Sequence, residues 1–157
     1  MRDMMVEPAD EDVAWLAAAT QDDRDRATWE LRYLRRALGL LVAERDALDD
    51  RTASAVAHEL TAAMSQDRRV DAPRIRLAER QLNERLSAYR EMMAMRGTAE
   101  GLEARVGRTL LLLAGATRMG PDDLAQATRL ATRYLAETGE RLRVAFGAAT
   151  LPGSTGT

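Results

Sequence analysis

The amino-acid sequence predicts an all-α protein, a single-domain antiparallel bundle of five to six helices. Apolar residues recur every three or four positions along most of the chain, which is the spacing that lines one face of a helix. No window shows the sustained alternation of apolar and polar residues that is typical of strands. The chain has 157 residues, of which 46% are hydrophobic, so it suits one domain with a packed core.

The first three predicted helices span residues 9–19, 22–49 and 52–65. Pro8 and an acidic first turn mark the start of the first helix. Asp22 is the predicted N-cap of the second helix, with Asp25 three residues later in an arrangement like a capping box. Leucines follow the inward face of the second helix at helical spacing, namely Leu31, Leu34, Leu38, Leu41 and Leu48.

The fourth and sixth helices are each marked by a proline near the first turn. The fourth is predicted from Asp71 and Pro73 to Arg96, and the sixth begins at Pro121. Their predicted inward residues are Ile75, Ala78, Leu82, Leu86, Tyr89 and Met93 in the fourth helix and Leu124, Ala131, Leu135, Thr138, Leu142 and Phe146 in the sixth. Residues 1–150 form the predicted bundle domain, and residues 151–157 form a flexible C-terminal tail.

The fifth helix is predicted to begin at its cap, Thr98, and to run to about Arg118. Its segment 110–116 is the longest apolar run of the chain, so we expect this helix to lie centrally. Small residues along it would let a neighbouring helix approach closely, namely Ala104, Gly107, Ala114 and Gly115.

The charged residues narrow the possible chemistry. The chain has no Cys, which excludes disulfides, thiolate nucleophiles and zinc–thiolate sites. All 23 basic residues are Arg, as is typical of a GC-rich bacterial genome, and without Lys no Schiff base forms. The net charge of −2 implies no partner, although residues 1–30 carry nine acids against three Arg. We interpret these acids as a solvated helix start.

No motif for catalysis, metal binding or nucleotide binding is present in the sequence. His58 has no ligand-type residue at helical spacing on its own face, so we predict a structural or exposed side chain. Asp46, Asp49 and Asp50 lack the spacing of a calcium loop and are expected to cap the third helix. We therefore predict that the protein is not an enzyme and binds no metal or cofactor.

Two alternatives follow from the arginines. Residues 67–91 carry seven Arg interleaved with five acids, which favours an ion-paired solvent face. Nucleic acid is therefore not the expected partner, and a DNA-binding regulator that uses the sixth helix and residues 68–80 is the first alternative. The second is an all-α enzyme with an Arg-lined pocket, for which Arg45 is the candidate because it interrupts an apolar stripe.

The predicted function is a protein–protein interaction module, an adaptor, chaperone or regulator that binds a partner through a helix face. The candidate partner-binding residues are Leu41, Arg45, Met92 and Met93. We expect Met93 in the core, and Met92 or Met95 half exposed.

Two further predictions concern assembly and location. We expect a homo-oligomer whose first candidate interface is the exposed remainder of the leucine stripe. The N-terminal residues contain no apolar signal segment, and the run 110–116 is too short to span a bilayer. These features predict a cytoplasmic protein.

Overall fold

The computed structural model describes residues 7–46, 58, 72–95 and 99–146. These residues contain five α-helices and no strand, and the helices pack as a single bundle, which confirms the all-α prediction. The helices are α1 (Asp10–Ala19), α2 (Arg24–Asp46), α3 (Ala72–Ala94), α4 (Leu102–Leu113) and α5 (Pro121–Phe146). Within the described residues, no helix is both long and apolar enough to cross a membrane.

Helix α2 lies at the centre of the bundle and contacts α1, α3, α4 and α5. The leucine stripe faces inward as predicted, because Leu31, Leu34 and Leu38 have no exposed surface and Leu41 is 5% exposed. The expectation that part of this stripe remains exposed for a second copy is wrong for these four residues, since helices of the same chain cover them. Leu48 lies outside the described residues.

Helix α4 occupies the central position that its apolar segment predicted. Val106, Leu110 and Leu111 are fully buried, and the helix packs against α2, α3 and α5. Gly107 permits the close approach to α5, since a Cβ atom placed on it would lie 2.7 Å from the carbonyl carbon of Ala127. That distance is shorter than any ordinary van der Waals contact.

Helix α4 is shorter at both ends than the predicted helix. It starts after Gly101 instead of Thr98, and it ends at Leu113, five residues before Arg118. Gly115 has a left-handed φ of 95°. Its N–H donates to the carbonyl of Leu112, and the next N–H donates to that of Leu111. This pattern of bonds is a Schellman motif, which terminates a helix where glycine can adopt positive φ.

Helix α2 also starts later than predicted, and its cap is Asp23. The Oδ1 atom of Asp23 accepts a hydrogen bond of 3.0 Å from the backbone N–H of Arg26. Asp22 has a φ of 58°, so it belongs to the turn that follows α1. Several predictions lie outside the described residues: the helix over residues 52–65 apart from the helical His58, the caps Asp49, Asp50 and Thr98, the tail, and the side chain of Phe146.

The acidic N-terminal stretch is only partly solvated, which corrects the interpretation of all nine acids as exposed. Asp12 is 5% exposed and Glu30 is 2% exposed. Asp12 attaches α1 to α5, because it accepts hydrogen bonds of 2.6 Å from Arg133 and 3.4 Å from the hydroxyl of Tyr134. Asp10 and Glu11, in the same helical turn, are exposed as expected.

Replacing Gly107 with Ala should destabilise the protein by about 1–3 kcal/mol, because the added methyl group collides with the backbone of α5. The matched control is Gly139→Ala in α5, where the nearest atom to the added Cβ is a flexible arginine nitrogen 3.9 Å away. The Gly139→Ala variant should be as stable as the wild type or more stable by up to about 1 kcal/mol, since Ala has a higher helix propensity than Gly. Urea unfolding of both variants measures the difference, and equal stabilities would contradict the close approach of α4 to α5.

The three tyrosines should resist ionisation until the protein unfolds in alkali. Burial raises the pKa of Tyr33, Tyr89 and Tyr134 above 10, and these are all the tyrosines of the chain. Below about pH 10 the phenols are neutral in both the folded and the unfolded state, so this contribution to stability is fully present. Above it only the unfolded chain loses protons readily, and the free energy of unfolding falls as pH rises.

An absorbance titration of tyrosinate, followed together with circular dichroism, checks this expectation. Ionisation should coincide with loss of helix. Three tyrosines that titrate near pH 10 while the helices persist would contradict the burial of these rings.

Candidate functional site

A groove with a volume of about 670 Å³ lies between α2 and α3. Side chains at helical spacing supply both walls, since residues three or four apart share one face of a helix. The α2 wall is formed by Asp25, Arg26, Trp29, Glu30, Arg32 and Tyr33, and the α3 wall by Arg74, Leu77, Ala78, Gln81 and Arg85. A volume of this size is typical of sites that bind ligands.

Four of these side chains form a stacked row, defined here as Arg32, Trp29, Tyr33 and Arg85. The guanidinium of Arg32 lies 4.8 Å from the centre of the Trp29 ring. The Trp29 and Tyr33 rings are 5.7 Å apart, and the guanidinium of Arg85 lies 5.3 Å from the Tyr33 ring. Cations attract the faces of aromatic rings, so each arginine holds the adjacent ring in place.

The Arg85 end of the stacked row is closed by a buried ion pair. Glu30 accepts hydrogen bonds at both carboxylate oxygens, 2.6 Å and 3.2 Å long, from the guanidinium of Arg85. The Glu30 side chain is 3% exposed and that of Arg85 is 14% exposed. This hydrogen bond is the largest cause that raises the pKa of Arg85 above its ordinary value, so Arg85 stays charged.

Tyr33 fixes the middle of the groove through its hydroxyl group and its ring. The hydroxyl donates a hydrogen bond of 2.6 Å to Oε1 of Gln81 on α3. The ring packs with Ala78 and Leu82 in a small apolar cluster that Trp29 partly covers. The two helices are therefore joined by a polar contact, an ion pair and an apolar cluster on one face.

The groove carries more positive than negative groups. Four arginines and two acidic residues line it, and Arg85 forms an ion pair with one of those acids, Glu30. Leu77, which is 46% exposed, adds an apolar surface on the α3 wall. Among the described residues, no cluster of histidine and acidic side chains could hold a metal ion. Cationic groups, ring faces and an apolar contact together suit the binding of an anionic and partly apolar ligand.

The structure places the four predicted partner-binding residues away from this groove. Leu41 and Met92 are buried, with 5% and 7% exposure, and Met93 is half-buried against the same cluster. Met92 is thus more buried than Met93, the reverse of the expectation, while Met95 is 50% exposed as predicted. Three of the four residues therefore meet in one apolar cluster.

Arg45 and His58 are both exposed. Arg45 lies in the last turn of α2, and it does not line the groove, to which four other arginines contribute. The alternative hypothesis of an enzyme pocket built around Arg45 thus has no counterpart in the groove described here.

Sequence reasoning missed the residues that form the groove. Trp29 and Tyr33 are separated by four positions, with Arg32 between them, and this spacing already places two aromatic rings on one face of α2. Arg85 was interpreted as part of an ion-paired solvent face. That interpretation holds for Arg90, which binds Glu44 at the surface. For Arg85 it is incomplete, because Arg85 contacts the exposed Glu84 at 3.4 Å but makes its shorter ion pair, 2.6 Å long, with the buried Glu30.

The chain was compared with known proteins. It matches no protein-family model, and neither a curated protein nor a solved structure is significantly similar to it. Its function has to be inferred from the groove itself.

Replacing Arg85 with Met should destabilise the protein by about 3–5 kcal/mol, because the buried carboxylate of Glu30 loses its counter-ion. Glu30→Gln should lower the free energy of unfolding by less than Arg85→Met does, since the long Arg85 side chain can turn towards water. The matched control is Arg90→Met on the same helix. Arg90 forms an ion pair with Glu44, and the side chains of both residues are about half exposed. That control should cost at most about 1 kcal/mol. Equal losses for Arg85→Met and Arg90→Met in urea unfolding would contradict the buried pair.

Proposed function

We propose that the protein is a non-enzymatic protein–protein interaction module that binds a segment of a partner protein in the groove between α2 and α3. The observation that carries this proposal is the stacked row, in which two adjacent aromatic rings lie between two guanidinium groups beside an exposed leucine. The groove replaces the set Leu41, Arg45, Met92 and Met93 as the proposed binding surface.

The composition of the groove supports protein recognition. Tryptophan, tyrosine and arginine are the residues most enriched where protein interfaces concentrate their binding energy. Here all three types occur on adjacent turns of α2 and α3, and contacts within the chain hold them in place. A groove whose side chains are already positioned loses little conformational entropy when a partner binds.

The side chains of the groove also explain why binding is proposed instead of catalysis. Arginine remains protonated throughout the physiological range, so it serves as an anion-binding group and not as an acid or base. Glu30 is engaged by Arg85 through both of its oxygens. Adaptors, chaperones and regulators all bind partner proteins without catalysing a reaction, and the proposal does not choose among these three roles.

The proposal includes a cytoplasmic bacterial location and assembly into a homo-oligomer. Leu112 and Met95 are 54% and 50% exposed, and they offer apolar surface for a second copy in place of the buried leucines of α2. The mass of the purified protein in solution, measured by light scattering, tests this part directly. A monomer at high concentration would contradict it.

The groove proposal is tested by capture of partners on the immobilised protein. Leu77→Asp places a charge on the apolar part of the groove, and Val144→Asp makes the same change on α5 at a residue that is 78% exposed. Proteins retained by the wild type and by Val144→Asp should be lost from Leu77→Asp, because a buried unpaired carboxylate opposes apolar contact. Thermal unfolding of both variants checks that they are folded.

Two results would contradict the proposal. One is retention of the same proteins by Leu77→Asp and by the wild type. The other is retention of nucleic acid alone, with binding that falls steeply as salt rises, which is the behaviour of a DNA-binding regulator.

A further inference from the structure

The two ends of the stacked row differ in how firmly a carboxylate holds the arginine. At the inner end, the Glu30 side chain is 3% exposed and that of Arg85 is 14% exposed. At the outer end, the Glu7 side chain is 45% exposed and that of Arg32 is 19% exposed. Glu7 precedes α1, whereas Glu30 lies within α2. The inner carboxylate is thus a buried group of a helix, and the outer carboxylate belongs to an exposed residue outside the helices.

The contact between Glu7 and Arg32 uses one carboxylate oxygen. Both Nε and a terminal nitrogen of Arg32 donate to Oε2 of Glu7, at 3.2 Å and 2.6 Å. A carboxylate that is free to align accepts such a fork with both oxygens, which is the stronger arrangement. Exposed ion pairs contribute little because water and salt screen them. A carboxylate from another molecule can therefore compete with Glu7 for Arg32.

The surroundings of Arg32 show what else such a ligand would contact. Arg32 lies over Trp29, and the groove continues from there past Arg74 to Leu77. The lining has more basic than acidic residues. It contains four arginines, namely Arg26, Arg32, Arg74 and Arg85, and two acidic residues, Asp25 and Glu30. Charge complementarity thus favours an acidic ligand with at least one apolar side chain near its carboxylate.

We propose that the groove binds an acidic segment of a partner protein, and that Glu7 occupies the binding position at Arg32 until a carboxylate of the partner displaces it. This inference rests on the proposed function and names the partner chemistry and the regulation of the same groove. Glu7 acts as an internal competitor, because the ligand gains the Arg32 contact only when the Glu7 contact is broken. Removal of the Glu7 charge should therefore strengthen binding.

The test uses a library of random peptides displayed on phage and selected on the full-length protein. The selected peptides should be rich in Asp and Glu beside an apolar residue, and they should fail to bind Leu77→Asp. Their affinities are then measured by fluorescence in a Trp15→Phe background. The chain has two tryptophans, so Trp29 in the groove becomes the only reporter.

Three variants distinguish the contact between Glu7 and Arg32 from an effect of the net charge of the protein. Glu7→Gln should bind the selected peptides about two- to fivefold more tightly, as expected for loss of an exposed ion pair. Glu11→Gln changes the net charge equally at an exposed residue of α1 and should leave the affinity unchanged. Arg32→Gln should weaken binding by about tenfold or more, because the charge-assisted hydrogen bonds to the ligand are lost.

The outcomes distinguish this inference from the proposed function. If the selected peptides require Leu77 but are neutral or basic, or if Glu7→Gln and Glu11→Gln behave alike, the groove binds a partner and the role of Glu7 is wrong. If no selected peptide depends on Leu77, both the proposed function and the inference are wrong. Tighter binding by Glu7→Gln alone, together with weaker binding by Arg32→Gln, supports the inference.

Discussion

The ion pair between Glu30 and Arg85 is the interaction on which the arrangement of α2 and α3 depends. A carboxylate that is 2% exposed is tolerated only when a counter-ion and hydrogen bonds replace its water. Arg85 supplies both through two parallel hydrogen bonds. Because Glu30 sits one position before the fully buried Leu31, the pair fixes α3 at the border between the core and the polar face of α2.

The groove follows from this constraint. With Arg85 held by Glu30, its guanidinium lies over Tyr33, and the hydroxyl of Tyr33 reaches Gln81 one turn earlier on α3. The rings of Tyr33 and Trp29 then extend the stacked row to Arg32 at the outer end. The carboxylate that holds Arg85 is 3% exposed, whereas the one that holds Arg32 is 45% exposed, so a competing anion can replace the second more readily than the first. This difference between the ends is the physical basis for assigning the groove a binding role.

The sequence predicts the fold well because apolar spacing is a local property. The leucines of α2 indicate their buried face without knowledge of any neighbour, and the apolar segment of α4 indicates that this helix lies centrally although Leu112 within it is 54% exposed. The end of α4 was predicted too late because Gly115 was interpreted as a packing residue, whereas it terminates the helix with positive φ. The groove was missed for a different reason. Glu30 and Arg85 are 55 positions apart, and only the packing of α2 on α3 shows that each is the partner of the other.

Nuclear magnetic resonance of the arginine side chains tests whether the ion pair between Glu30 and Arg85 is buried. The Nε proton of Arg85 should exchange slowly with water and show a nuclear Overhauser effect to the ring protons of Tyr33. The Nε proton of Arg90, whose side chain is 51% exposed, serves as the reference for a surface ion pair. Exchange of the Arg85 proton as fast as that of Arg90, with no contact to Tyr33, would contradict the buried pair and the groove built on it.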